Sequence, residues 1–299
     1  DYNNCVMKSK IINVGGGDVA EIKIGGSEPL VFLGGPCAIE SRAHALEMCQ
    51  RIGEICDRLN IPWVYKSCYD KDSRSSVTSF HGVGIEEGLD ILAEIRQSEK
   101  VPVVCDFSDA NLANQTAQVV DFLQIPAYLC RQTHILTAAG KTGQPIHLKK
   151  GQFMSPWNMK NSVRKIEATG NEQILLTDRG TFFGYNMLIN DYRNFPIMME
   201  TGYPVCFDAT HSVQLPTSMG NVSGGQREFI PYLVRAAVGC GINALFMEVH
   251  DNPDEALSDA NTQLNIRYLE NILSQAKATH ETRLELAERW GDDIVHVND

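Results

Sequence analysis

The stretch that decides the fold is VFLGGPC at residues 31–37, an apolar, glycine-containing run that ends on proline and cysteine. Seven further short runs follow, each long enough for one strand and separated from the next by a longer segment. They are PWVYKSC from Pro62, PVVCDF from Pro102, FLQIPA from Phe122, IHLKKG from Ile146, ILLTDRG from Ile174, PVCFDAT from Pro204 and ALFMEVH from Ala244. Their starts lie 20 to 40 residues apart, which leaves room for one crossover between parallel strands.

The segments between these runs have the spacing of amphipathic helices. Ser41 is placed to cap the first helix, whose apolar residues recur every three or four positions: Ala45, Met48, Ile52 and Ile55. Further helices are predicted over residues 86–96, 226–239 and 254–276. Eight strand–helix units favour a closed (β/α)8 TIM barrel, because an open sheet of eight strands would need two unlike edges. A doubly wound α/β sheet is the alternative.

We interpret residues 1–299 as a single barrel domain with an addition at each end. Residues 11–24, IINVGGGDVAEIKI, place two apolar runs around a glycine-rich turn and predict an N-terminal β-hairpin. The C-terminal extension, residues 279–299, includes HETRLELAERW and predicts an extra helix outside the barrel.

The composition is that of a globular protein, with 43% hydrophobic and 21% charged residues. A formal net charge of −11 argues against a nucleic-acid partner. No apolar run approaches the roughly 20 residues of a membrane span, and the first ten residues lack the pattern of a secretory signal. The nine cysteines form no CxxC pair, which is typical of buried thiols in a reducing compartment. We therefore expect a cytoplasmic protein.

Charged and polar residues gather where the predicted strands end, the face at which barrel enzymes bind their substrates. These ends hold Cys37, Lys66, Asp106, Gln124, Lys149, Arg179, His211 and Glu248, with Lys71, Arg74 and Arg131 in the loops beyond. Five or six basic groups at one mouth of an acidic protein predict anion binding, since an unpaired buried charge is costly. Phosphate and carboxylate are the candidate anions, because an arginine contacts either with two hydrogen bonds.

Four residues at this face form a candidate metal site: Cys37, His211, Glu248 and Asp259. One soft and three harder ligands suit a divalent transition metal. The spacing contains no local motif such as HExxH. It therefore leaves a second interpretation open, in which these side chains are only packed or hydrogen-bonded.

Eight ordered blocks make residues 11–276 resemble the 3-deoxy-D-manno-octulosonate 8-phosphate synthase family. They are GPCAIES at 35–41, YKSCYDKDSRSS at 65–76, FLQIPAYLCRQT at 122–133, HLKKGQFMSP at 147–156, TDRGTFFGY at 177–185, FDATHSVQLP at 207–216, SGGQRE at 223–228 and MEVHDNPDEALSDANTQL at 247–264. The resemblance implies a TIM barrel that condenses phosphoenolpyruvate with D-arabinose 5-phosphate and water and releases phosphate. That reaction belongs to lipopolysaccharide sugar biosynthesis.

The resemblance also implies a role for each matching residue. Those that would hold phosphoenolpyruvate are Lys66, Lys71, Gln124, Ala127, Lys149 and Arg179. Those that would hold the aldose phosphate are Ser73, Arg74 and Ser75, with Ser73 standing where the family usually has asparagine. The candidate catalytic groups are Lys66, Lys71, Asp106 and His211. Arg131 matches an arginine that reaches into a neighbouring subunit's site, which implies a homotetramer.

The residue type at position 37, here Cys37, distinguishes two branches of this family. The metal-independent branch has asparagine at this position, whereas Cys37 together with SDANTQL around Asp259 resembles the metal-dependent branch. The implied cofactor is a divalent metal ion: zinc, ferrous iron, manganese or cobalt. A thiolate ligand favours zinc or ferrous iron among these.

Two alternative functions remain open at this point. The 3-deoxy-D-arabino-heptulosonate 7-phosphate synthases share the barrel and phosphoenolpyruvate but use erythrose 4-phosphate. DSRSS at 72–76 differs from the sequence typical of that family. A barrel that only binds anionic metabolites is the other alternative, and four residues argue against it: Lys149, Arg179, His211 and Glu248.

Overall fold

The structure, a computed structural model, describes residues 9–72, 79–219 and 222–291. Its strands are β1 (Ile12–Gly15), β2 (Glu21–Ile24), β3 (Val31–Gly35), β4 (Trp63–Lys66), β5 (Val103–Asp106), β6 (Phe122–Ile125), β7 (Ile146–Lys149), β8 (Ile174–Asp178), β9 (Val205–Asp208), β10 (Gln214–Met219), β11 (Val222–Gly225), β12 (Ala244–His250) and β13 (Leu264–Asn265). Its helices are α1 (Arg42–Leu59), α2 (Ile85–Glu99), α3 (Ala113–Ala117), α4 (Thr133–Lys141), α5 (Met159–Glu167), α6 (Asn194–Met199), α7 (Ile230–Gly239) and α8 (Leu269–Trp290). None of these helices combines the length and the apolar character needed to cross a membrane.

Eight parallel strands close into a barrel. Strands β3 to β9 pair in chain order, and β12 pairs with both β9 and β3. Each of the eight predicted runs supplies one of these strands, with helices between them. The predicted (β/α)8 barrel is therefore confirmed, and the doubly wound sheet is excluded because the sheet has no open ends between β12 and β3.

The predicted hairpin is confirmed, and it closes the amino-terminal end of the barrel. Strands β1 and β2 pair antiparallel. Their buried residues join one apolar cluster with the first inward-facing residues of the barrel strands; the hairpin members are Ile12, Val14, Ile22 and Ile24. Because this apolar plug fills one end of the barrel, only the carboxyl end is left for a ligand.

Helix α1 begins as predicted. The Ser41 side chain accepts a hydrogen bond from the backbone N–H of His44 at 3.2 Å. This contact satisfies one of the amide donors that a helix start leaves unpaired. The apolar face identified in the sequence is buried against the barrel. Cys37 and Glu40, just before the cap, are thus fixed between a strand end and a helix start.

The helix predicted over residues 254–276 is wrong in its first half. Pro253 lies in a single 3-10 turn, Asp259 has a left-handed backbone with φ 48°, and β13 precedes the helix, which begins at Leu269. The left-handed backbone of Asp259 and the pairing of β13 with β12 interrupt helical hydrogen bonding. The tail is helical, as predicted, but to Trp290 it continues α8 without a break. A second hairpin, β10–β11, was not predicted.

Candidate active site

Inside the barrel, the side chains change from apolar to charged towards the carboxyl ends of the strands. Inward-facing positions lie two residues apart, because side chains alternate along a strand. In five strands the earlier inward residue is apolar and the later one polar: Val64 and Lys66, Val104 and Asp106, Phe122 and Gln124, Cys206 and Asp208, Phe246 and Glu248. The charged layer is therefore at the carboxyl end, where barrel enzymes bind substrates.

Lys66 and Glu248 form a buried ion pair at the centre of this layer. Lys66 Nζ donates to Glu248 Oε1 at 2.7 Å and to the carbonyl oxygen of Cys37 at 2.9 Å. Lys71 Nζ lies 3.7 Å from the same carboxylate oxygen and 4.0 Å from Asp106 Oδ2. The structure thus brings together the three predicted groups Lys66, Lys71 and Asp106.

Both carboxylates stay ionised although they are buried. Burial opposes the ionisation of Asp106, but the ammonium groups of Lys71 and Lys66 outweigh it and lower its pKa to about 2. For Glu248, burial is likewise outweighed by Lys66 and His211, and its pKa is also about 2. Asp106 Oδ1 and Glu248 Oε2 are buried oxygens without a hydrogen-bond partner among the residues that the structure describes. Each oxygen can therefore accept a further hydrogen bond or bind a cation.

Asp208 is a functional candidate that the sequence interpretation missed. Lys149 Nζ donates to Asp208 Oδ2 at 2.6 Å, and His211 Nδ1 lies 2.8 Å from the same oxygen. Burial opposes ionisation of Asp208, but His211 and Lys149 outweigh it and hold its pKa well below the usual range. The alternation of inward-facing side chains along β9 identifies Asp208. The sequence prediction considered only the residue at the expected end of this strand, which was His211.

Lys149 and Arg179 are buried cations, and burial makes the charged form of each less favourable. Burial lowers the pKa of Lys149 despite its pairing with Asp208, and Lys149 Nζ lies 3.7 Å from the centre of the Phe246 ring. Burial also lowers the pKa of Arg179. Arg179 Nη2 donates to Gln214 Oε1, a residue not predicted, while Arg179 Nη1 is buried without a hydrogen-bond partner in the described part of the chain. A guanidinium group held in this way is ready to bind an anion.

The four predicted metal ligands come together beside this cationic group. Cys37 Sγ lies 3.4 Å from Asp259 Oδ2. His211 Nε2 lies 3.6 Å from Asp259 Oδ2 and 3.8 Å from Glu248 Oε1. A tetrahedral ion with bonds of about 2.0–2.3 Å separates its ligand atoms by roughly 3.3–3.8 Å. The three separations lie at or near this range, Cys37, Glu248 and Asp259 hold ligand atoms within 4.8 Å of one another, and these donor types suit a divalent transition metal.

Neighbouring groups position Cys37 within this quartet. Its backbone N–H donates to Gln263 Oε1 at 3.0 Å, and its Sγ lies 3.0 Å from Ser258 Oγ. Burial, followed by the charge of Glu248, raises the pKa of the thiol well above its usual value. A bound cation reverses this effect, because it stabilises the thiolate directly.

Three further predicted residues lie on β6 or just after it. Gln124 faces the barrel interior, and its Oε1 is buried without a hydrogen-bond partner among the described residues. Ala127 begins the 3-10 turn after β6. Arg131 is exposed just beyond that turn; its backbone oxygen accepts from Lys165 Nζ at 2.7 Å. Ser73, Arg74 and Ser75 lie outside the described residues.

Comparison with known proteins gives one consistent family. The profile of the DAHP synthetase I family matches residues 7–285. A 2-dehydro-3-deoxyphosphooctonate aldolase of Cyanothece sp. is 52% identical over 258 residues, which cover 86% of this chain and 94% of the relative. Proteins of the same name are 49% identical in Geotalea daltonii, over 87% of this chain and 96% of the relative, and in Granulibacter bethesdensis, over 90% and 94%. The chain therefore belongs to the DAHP synthetase I family and, within it, to the 2-dehydro-3-deoxyphosphooctonate aldolases.

Proposed function

We propose that this protein condenses phosphoenolpyruvate with D-arabinose 5-phosphate and water to give 3-deoxy-D-manno-octulosonate 8-phosphate and phosphate. One observation carries the proposal: cations from separate strands and loops meet at one barrel mouth. They are Lys66, Lys71, Lys149 and Arg179. Two phosphorylated reactants repel each other, and a layer of fixed cations offsets that repulsion. The names of the relatives favour arabinose 5-phosphate over erythrose 4-phosphate as the second substrate.

The side chains suggest how the phosphoenolpyruvate is held. Arg179 offers its unpaired Nη1 and Lys149 its ammonium group, both buried where water competes weakly. Lys66 is already bonded to Glu248 and to a backbone carbonyl. It therefore acts through its charge and not as a Schiff-base nucleophile. Holding both reactants in line contributes up to about 7–11 kcal/mol in favourable cases.

The reaction is then a sequence of bond changes within this charged layer. C3 of phosphoenolpyruvate attacks the aldehyde carbon, water adds at C2, and phosphate leaves by cleavage of its bond to C2. Asp106 is ionised, and its Oδ1 has no hydrogen-bond partner among the described residues. With a pKa of about 2 it is suited to accept a hydrogen bond from a substrate hydroxyl or a water molecule, and it does not donate a proton at neutral pH.

We further propose that Cys37, His211, Glu248 and Asp259 hold one divalent metal ion. The fit of their separations and donor types supports this. When bound, such an ion polarises a carbonyl oxygen or lowers the pKa of a water molecule. Asp208, at 2.8 Å from His211 Nδ1, fixes the imidazole so that Nε2 faces the other three ligands, which is the usual outer carboxylate of a metal-bound histidine.

A homotetramer is also proposed, in which Arg131 serves a neighbouring subunit. Large apolar side chains are exposed on the loops after β7 and β8: Phe153, Trp157, Phe183 and Tyr185. Tyr128, exposed beside Arg131, extends this surface to the loop after β6. Clusters of this kind mark surfaces that bind protein. The exposed Arg131 thus lies next to a surface suited to self-association.

The substrate assignment is tested by phosphate release from phosphoenolpyruvate with a panel of aldose phosphates. We expect turnover with arabinose 5-phosphate and a kcat/KM for erythrose 4-phosphate lower by at least about 100-fold, because buried polar groups discriminate hydroxyl patterns by several kcal/mol. Faster turnover with erythrose 4-phosphate would favour the heptulosonate alternative. Binding of phosphoenolpyruvate without any product would favour the non-catalytic one.

Replacement of Arg179 tests the anion clamp. Arg179→Ala removes a charged, buried contact, so kcat/KM for phosphoenolpyruvate should fall by about 30- to 1,000-fold, equivalent to roughly 2–4 kcal/mol. Arg193→Ala is the matched control, since Arg193 is exposed and pairs only with Asp191 among the described residues. Equal kinetics for both variants would contradict the clamp.

Metal removal tests the ligand quartet. Stringent chelation should reduce kcat by at least about 100-fold, because a metal contributes several kcal/mol to such reactions. Added zinc, ferrous iron, manganese or cobalt should restore activity. Cys37→Ser should bind the metal more weakly, whereas Cys240→Ser, which changes an exposed thiol, should not. Full activity of protein shown to be metal-free would disprove the requirement.

Subunit mixing tests the shared site. The native mass should be four times 33.2 kDa. Arg131→Ala and Arg179→Ala should each be nearly inactive alone. When equal amounts of the two variants are reassembled into mixed tetramers, about a quarter of the sites should regain both arginines if Arg131 acts on a neighbour. No recovery on mixing, with mixed tetramers verified by mass, would place Arg131 outside the neighbouring site.

A further inference from the structure

A second group of metal-binding side chains lies between the start of α1 and the end of β12. It consists of Glu40, His44, His250 and Asp251, to which the reaction above gives no role. Ligand atoms of Glu40, His44 and His250 all lie within 4.8 Å of one another. The rings of His44 and His250 have their centres 4.6 Å apart. Two histidines and a carboxylate are thus held in contact outside the charged layer.

Asp251 orients both histidines from one side. Asp251 Oδ1 lies 3.0 Å from His44 Nε2 and 3.0 Å from His250 Nδ1. The opposite ring nitrogens, His44 Nδ1 and His250 Nε2, are buried and have no hydrogen-bond partner among the described residues. Of these two, His250 Nε2 lies 3.3 Å from Glu40 Oε1. Asp251 therefore faces one nitrogen of each imidazole, and the opposite nitrogens are the candidate metal-binding atoms.

This pattern is the one found around metal-bound histidines, whose second N–H is donated to a carboxylate. We propose that Glu40, His44 and His250 bind a second divalent transition-metal ion, such as zinc, with Asp251 as the carboxylate that fixes both imidazoles. Two imidazoles and one carboxylate suit zinc, iron, cobalt or nickel better than magnesium or calcium. The side chains of Glu40 and His44 are partly exposed, so solvent can reach the site and supply a water ligand.

A hydrogen-bonded network without metal is the competing arrangement. The backbone N–H of Asn252 donates to His250 Nδ1 at 3.0 Å, and in this arrangement Nε2 carries a proton towards Glu40. The Asn252 N–H also faces the Asp251 carboxylate, which offers it another acceptor. The network leaves His44 Nδ1 without a partner, whereas the metal site uses it. The unpaired nitrogen therefore favours the metal.

An ion at this position joins two segments of the chain. Glu40 Oε1 accepts from the backbone N–H of Leu257 at 2.8 Å, and Asn265 Nδ2 donates to the carbonyl oxygen of Asp251 at 3.0 Å. The ion would tie the start of α1 to the loop that follows β12. That loop carries Asp259, and α1 follows Cys37 by a few residues. The second site would thus hold in place the backbone on either side of the first.

Cobalt(II) titration of the metal-free full-length protein tests the proposal, with absorbance and stoichiometry measured together. A thiolate ligand gives an intense sulfur-to-cobalt charge-transfer band, which a site made of imidazole and carboxylate lacks. We expect the wild-type protein to bind two equivalents, one with this band and one with weak d–d bands alone. His44→Gln should bind one equivalent and keep the charge-transfer band. His134→Gln, an exposed histidine in the first turn of α4, should still bind two.

Cys37→Ala separates this proposal from the first metal site. It should lose the charge-transfer band and keep one equivalent, which the double change Cys37→Ala with His44→Gln should remove. A single equivalent in wild type, unchanged in His44→Gln, would overturn the second site and leave the first standing. Two equivalents in His44→Gln would overturn it as well. If Cys37→Ala does not fold, the comparison of wild type with His44→Gln and His134→Gln decides the question.

Discussion

The site depends on a set of buried ion pairs that nearly cancel. Among the described residues, three lysines pair with three buried carboxylates at the barrel mouth: Lys66 with Glu248, Lys71 with Asp106 and Glu248, and Lys149 with Asp208. Such pairs contribute little to stability, because desolvation offsets most of their attraction. Their value is positional, since each pair holds a cation where an anionic substrate can replace the carboxylate. When an anionic substrate takes the place of Glu248 at Lys66, the Glu248 carboxylate already lies beside the other proposed metal ligands.

The apolar half of the barrel makes this arrangement rigid. The hairpin β1–β2 and the first inward residues of the strands form one apolar cluster, so the charged layer lies against a tightly packed apolar layer. Phe246 connects the two halves, because its ring lies under Lys149 Nζ and near Lys66 Nζ. Groups mounted on strands keep their separations better than groups on loops. Asp259 and Lys71, by contrast, lie on loops beyond the strands.

The sequence was sufficient for the barrel because each strand is a short apolar run with clear boundaries. Features set by tertiary contacts were harder to predict. Residues 254–268 have apolar spacing that suits a helix, yet the left-handed backbone of Asp259 and the pairing of β13 with β12 prevent one. Asp208 was missed because the carboxyl end of β9 was read at His211. The second hairpin, β10–β11, has few apolar residues, so its pattern gave no signal.

The candidate metal ligands illustrate the same limit. Cys37, His211, Glu248 and Asp259 are far apart in sequence, and spacing alone left them ambiguous; the resemblance to a known family grouped them. His44 and His250 had no such resemblance to connect them, and only the fold brings their rings together. Cys37 and Glu40 are three residues apart, and Glu248 and His250 two. Because the same two strand ends carry proposed ligands of both sites, an ion in one would restrict the backbone of the other. By linkage, any gain in affinity between them must be reciprocal.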